Sequence, residues 1–115
     1  MYDSMIFELQ AKLCDAMSHP ARQKIIHILF DGKKRVGEIA KLAELGQSVV
    51  SRHLATLKHA GLVTSLRHGQ EIYYEVTDPK IAEVCELMRK VLSEQLIQQS
   101  ESIERIKGFN NKNIR

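Results

Sequence analysis

Apolar and polar positions alternate with two periods along the chain, and the change of period divides it. Ile6, Leu9, Leu13 and Met17 fall at i, i+3, i+7 and i+11, the spacing of one apolar face on a helix from about Ser4 to Met17. Ser18-His19-Pro20 interrupts that run. Pro20 suits the first turn of a second helix, and His19 suits a turn or capping position beside it. The second helix, Ala21 to Phe30, is dense in Ile25, Ile26, Ile28 and Leu29, as a central core element should be. His27 inside it reads as a core or boundary histidine, and Asp31-Gly32 ends the run. Val36, Ile39, Leu42 and Ala43 predict a short third helix, followed by a tight Glu44-Leu45-Gly46 connection. The helical period then resumes at once. Val50, Leu54 and Leu57 form the core-facing stripe of a fourth helix from Gln47, and Gly61 stands where a left-handed residue closes it.

Beyond Gly61 the period drops to two. Val63 to Arg67 and Glu71 to Val76 flank His68-Gly69-Gln70 and predict a β-hairpin. Ile72, Tyr74 and Val76 would then point one way, with Tyr73 and Glu75 pointing the other. Thr77-Asp78-Pro79 supplies capping residues and a helix-starting proline. The last helix carries Ile81, Val84, Cys85, Met88, Val91, Leu92 and Leu96 on one side and can run to about Ile106. That is longer than so small a domain needs for its own core, so the seam predicts pairing with a partner's helix. Residues 108–115 are polar and asparagine-rich and are expected to be a flexible tail, with residues 1–107 forming one domain. The expected class is mainly α with a small β-hairpin wing, built on five helices.

Two short helices joined through a glycine-containing connection make a helix-turn-helix. The side of the fourth helix away from its stripe holds Gln47, Ser48, Ser51, Arg52 and Ala55. These side chains are short, polar or cationic, which suits the floor of a DNA major groove. Arg and Gln can each present two atoms to a base edge.

Composition sharpens that reading. A chain of 115 residues with 43% hydrophobic and 27% charged content is one small soluble domain. No apolar run approaches the roughly 18 residues of a membrane span, and the N-terminus lacks a signal-peptide pattern. A cytoplasmic address without a membrane partner is therefore expected. The net charge of +3 conceals an asymmetry. Residues 20–70 hold nine Lys and Arg against Asp31, Glu38 and Glu44, whereas the flanks hold eight basic and eleven acidic residues. Such a distribution fits a polyanion-binding centre in a neutral or acidic frame. Lys33-Lys34-Arg35 adds a cationic run just before a helix N-terminus, where backbone N–H groups also attract phosphate.

With SHPARQKIIHIL, VGEIAKLAELGQSVVSRHLATLKHAGLV and the hairpin RHGQEIYYEVTDP in place, the chain resembles the ArsR/SmtB-type winged-helix transcriptional repressors over roughly residues 5–96. The resemblance implies a winged helix-turn-helix repressor that works as a homodimer on double-stranded DNA and pairs its first and last helices. Two recognition helices would enter successive major grooves of a pseudo-palindromic operator, with two wings at the flanking backbone. By position, Gln47, Ser48, Ser51, Arg52 and His53 would meet DNA, together with Arg67, His68 and Gln70 on the wing.

The departures from the family pattern bear on control. Where many members carry a Cys-x-Cys metal site, this chain reads KKRVGEIA, and no histidine follows His68. The usual metal positions are empty, so neither a metal nor another cofactor is expected. Cys14 on the first helix and Cys85 on the last remain, and two readings stand for them. They are small buried hydrophobes, or they are thiols that sense an oxidant, a polysulfide or a metalloid. No nucleophile–base–orienter set, phosphate-cradling glycine loop or suitably spaced carboxylate pair is present, which argues against an enzyme. The alternative to a DNA-binding regulator is a winged-helix module for protein interaction or RNA. Short groove-facing side chains favour duplex DNA over RNA, whose major groove is too narrow for them.

Overall fold

The computed structural model describes residues 3–114, with side chains described over residues 3–108. Five α-helices and three strands follow in the order α1 (Ser4–Ala16), α2 (Pro20–Ile28), β1 (Lys34–Arg35), α3 (Val36–Ala43), α4 (Gln47–His59), β2 (Val63–His68), β3 (Glu71–Val76) and α5 (Pro79–Ile114), with a 3₁₀ turn at Leu29–Asp31. Each helix start has a local cause. Asp3 accepts from the Met5 N–H, His19 Nδ1 accepts from the Ala21 N–H at 3.1 Å, and Asp78 accepts from the Lys80 N–H at 2.9 Å. His19 is thus the capping residue its place before Pro20 suggested.

Two compact units divide the chain, residues 1–83 and 84–115. In the first, Ile25, Ile26, Leu29, Ile39, Ala43, Val50, Leu54, Leu57, Leu62 and Val63 are all at most 2% exposed. These residues come from α2, its 3₁₀ extension, α3, α4, the connection after it and the start of β2, so the helix-turn-helix is packed on a single core. Each fully buried aliphatic side chain of this size contributes about 1.5–3 kcal/mol of transfer free energy. The second unit is the remainder of α5, a lone helix whose Cys85 is buried.

The structure departs from the sequence reading in three places. The expected hairpin is part of a three-stranded antiparallel sheet in the order β1-β3-β2. Lys34 pairs with Tyr74 and Arg35 with Tyr73, so two residues of the cationic run are strand. His27, expected in the core or at its boundary, is exposed on α2. Within one protomer Ile6, Leu9 and Leu13 on α1 are exposed, at 55%, 54% and 36%, and only Met17 of that stripe is buried, which leaves the apolar face of α1 open for the expected pairing between copies. Finally, α5 continues to Ile114, past the end expected near Ile106. No proline interrupts the polar segment there, and Gly108 alone costs a helix only about 1 kcal/mol. Arg115, the last residue of the expected tail, lies outside the described residues.

Candidate nucleic-acid interface

The helix-turn-helix is held at both ends of α3. Glu38 closes its start from one side: its Oε1 accepts from the Arg35 backbone N–H at 3.3 Å and from Arg35 Nε at 3.1 Å. At its end Glu44 takes a left-handed conformation, φ 58°, and the Leu45 N–H reaches back to the Ala40 carbonyl at 3.0 Å. Gly46 then caps α4 in an extended conformation, its carbonyl accepting from the Val50 N–H at 3.1 Å. Val50, Leu54 and Leu57 are completely buried. Gln47, Ser48, Ser51, Arg52, Ala55 and Thr56 are therefore left on the outer side of α4, and all are exposed. Gly37 faces the start of this surface: a Cβ there would lie 3.4 Å from the Gln47 amide nitrogen.

His53 stands apart from that group. It is half-buried, and its Nδ1 accepts from Arg22 Nε at 3.3 Å. Its ring lies 4.5 Å from the ring of His19, centre to centre. Burial first, then the neighbouring His19, Arg22 and Arg52, holds its pKa below the ordinary histidine value. The sequence groups His53 with the groove-facing side chains, but the structure puts it on the flank of α4 that turns toward α2. The reason is geometric, since position 53 precedes the buried Leu54 and follows Val50 by three residues, close to the core stripe.

The wing is tied to the same helix. Lys58 Nζ donates to Ser65 Oγ at 2.7 Å, and the Thr77 hydroxyl donates to the Gly61 carbonyl at 2.7 Å. Gly61, at φ 81°, makes the left-handed exit from α4. The strands turn through Gly69 and Gln70, with His68 paired to Glu71 and Gly69 at φ 63°. Arg67, His68 and Gln70 are exposed at this tip. Arg67 Nε donates to the Gly69 carbonyl at 3.2 Å. His68 Nε2 lies 3.1 Å from Lys33 Nζ, and its ring meets Tyr73 edge-on at 5.8 Å.

Much of the basic excess is engaged inside the fold. Lys24 donates to the Ala43 carbonyl at 3.3 Å, capping the end of α3. Lys34 donates to the Ile28 carbonyl and pairs with Asp31. Arg35 bridges Glu38 and Glu71. The hydrogen bond and charge of Lys34 lower the Asp31 pKa, and Arg35 does the same to Glu38. Arg52 is exposed on the outer face of α4, and Arg67 is exposed at the wing tip, where its bond is to the neutral Gly69 carbonyl and leaves its charge unpaired with any carboxylate in the bonds described above. Thr56 and His59 extend the exposed side of α4 toward its C-terminal end. The sequence reading leaves both out of the contact set, although the same periodicity that selects Ser48 and Arg52 also reaches them.

Among the described residues no group of three or more His, Cys, Asp and Glu side chains could hold a metal ion. Cys14 is exposed on α1 and Cys85 is buried on α5. No described helix is long and apolar enough to cross a membrane.

Known proteins share this arrangement. The profile described as bacterial regulatory protein, arsR family, matches residues 19–65, which span α2 through the helix-turn-helix into β2. The HTH-type transcriptional regulator Rv0081 of Mycobacterium tuberculosis is 33% identical over 94 residues, 81% of this chain and 82% of the relative. Its crystal structure superposes with a TM-score of 0.73, covering 82% of this chain and 95% of its own. The transcriptional repressor PagR of Bacillus anthracis is 35% identical over 88 residues, 76% of this chain and 88% of the relative. The homodimeric winged helix-turn-helix DNA-binding domain of Mb0332 from Mycobacterium bovis is 26% identical. It superposes with a TM-score of 0.74 over 84% of this chain and 91% of its own.

Proposed function

The chain belongs to the arsR family of bacterial regulatory proteins, and from that premise we propose how this homodimeric, sequence-specific DNA-binding transcriptional regulator meets its operator. The outer face of α4 enters the major groove. Gln47, Ser48, Ser51 and Arg52 read base edges there, while Arg67, His68 and Gln70 bring the wing to the phosphate backbone. One observation carries this reading: the completely buried Val50, Leu54 and Leu57 hold α4 in place while the opposite polar face stays exposed. His53 belongs to the support of that face rather than to the base-reading set. Repression follows from occupancy alone, because a dimer seated on an operator blocks the polymerase. The role is regulatory rather than catalytic, and the partner places the protein in the cytoplasm, where bacterial DNA is. Control through thiols is a narrower proposal. Exposed Cys14 supports it, as an oxidant must reach a reactive thiol, whereas buried Cys85 fits core packing.

Variants at the two arginines test the division of labour. On a duplex selected by the protein itself, Arg52→Ala or Gln47→Ala should cost about 1–3 kcal/mol and relax base preference at one position. Arg67→Ala should weaken selected and scrambled duplexes alike and reduce the salt dependence by about one phosphate contact. Equal losses on both duplexes at all three positions would show that the groove face is misassigned.

A further inference from the structure

Arg22 joins three elements at one point, and the recognition helix is one of them. From α2, its Nη1 donates to the Ala16 carbonyl at the end of α1 at 3.0 Å, while its Nε donates to His53 Nδ1 on α4 at 3.3 Å. His19 lays its ring 4.5 Å from that of His53, tilted by 49°, and its own Nδ1 is occupied by the Ala21 N–H. We propose that the Arg22–His53 hydrogen bond is a positioning contact that fixes the rotation of α4 about its axis, and that protonation of His53 breaks it and weakens operator recognition. The inference rests on the DNA-binding reading above and adds to it a positioning pair and its control by pH.

The chemistry follows from the donor and acceptor roles. Arg22 can only donate, so His53 Nδ1 must carry a lone pair, and the contact exists only with the neutral ring. The charged and titratable groups bearing on that ring are His19 and Arg22 from α2 and Arg52 from α4. All of them are basic, so a proton on His53 loses its partner and meets repulsion. Apolar packing through Val50, Leu54 and Leu57 holds α4 down but is non-directional, whereas the hydrogen bond constrains its rotation. Ser51 and Arg52 immediately precede His53 in the chain, so a small rotation displaces the groups that read bases.

The sign of the pH effect is fixed. The His53 pKa is lowered from 6.5 by burial and then by those cations. The contact is therefore intact at pH 6.5 and above, and is lost as pH falls through the lowered folded-state value. A proton also adds positive charge near the DNA, and charge alone would tighten selected and scrambled duplexes together. Loss of geometry instead lowers the preference for the selected duplex, so that ratio is the readout.

The experiment measures binding of a duplex selected from a random library, and of its scrambled counterpart, from pH 7.5 to 5.5 at constant salt. The parent is compared with His53→Asn, His53→Leu and Arg22→Met. Asparagine places an acceptor as many bonds from the backbone as Nδ1 and does not titrate there. The parent should lose about tenfold of its preference across this range, the effect of one charge-assisted hydrogen bond. His53→Asn should keep the parent's preference at pH 7.5 and change least on acidification. His53→Leu and Arg22→Met should already have lost about tenfold at pH 7.5, with unchanged scrambled-duplex binding showing that they are folded. The inference is overturned if His53→Asn follows the parent's pH curve, or if His53→Leu and Arg22→Met retain full preference. A parent that prefers no duplex over any other would sink the DNA-binding reading itself, and the inference with it.

Discussion

Arg35 and Arg52 carry the same charge but differ in what they are available to do. In the sequence both belong to a basic central segment that points to a polyanion. In the structure Arg35 is held between Glu38 and Glu71, the second of them 36 residues away, while Arg52 is exposed on α4. Charge counting reveals the class of partner but not which cations are free to meet it, because an acidic neighbour from a distant strand is invisible locally. His53 and Arg22 show the same limit, with 31 residues separating donor from acceptor. The periodicity of α4 was the legible part, since Val50, Leu54 and Leu57 define the buried side and so leave Ser48, Ser51 and Arg52 away from it, with exposed Gln47 at the helix start beside Gly37. The cysteines separate by exposure, which no spacing rule supplies. If thiols control binding, oxidant or polysulfide should release the parent from its selected duplex, and a Cys14→Ser, Cys85→Ser variant should stay bound. Identical responses of the two in a gel-shift titration would assign both thiols to packing.

At the scale of elements, the helices were legible because their starts are chemically marked and their apolar stripes are long enough to repeat. The strand β1 was not. Two cationic residues have no strand signature, and Lys34 and Arg35 become strand only because β3 offers its edge. The turn of the helix-turn-helix was legible in its length but not in its conformation. Gly46 is the residue that suggests a left-handed bend, yet Glu44 adopts it, at φ 58° and ψ 44°, while Gly46 is extended. A left-handed conformation costs a side-chain-bearing residue about 1 kcal/mol relative to glycine. Glu44→Gly is therefore expected to stabilise the protein by about 0.5–1 kcal/mol, read as a higher denaturant midpoint at fixed protein concentration. A lower midpoint would mean that the Glu44 side chain makes a stabilising interaction.

At the scale of the molecule, the apolar surface left open has a consistent explanation. Met5, Ile6, Phe7 and Leu9 on α1 are each more than half exposed. In the second unit, Leu87, Leu92, Leu96 and Ile97 are likewise more than half exposed on α5. A lone helix has no core of its own, and so many exposed aliphatic side chains mark an association surface. The homodimer supplies the second copy that such a surface needs, which is why the seam was readable in the sequence as pairing beyond the domain. A two-fold dimer presents two copies of α4, and two-fold docking sets the distance between the sequences they read. The central claim is thus tested most directly by selecting duplexes from a random-sequence library with the purified protein and measuring how many protomers bind each. The selected sequences should contain two inverted half-sites with centres about 10 base pairs apart, or a small multiple of that, occupied by one dimer. Enrichment of no sequence, or of a single asymmetric half-site bound by one protomer, would contradict it.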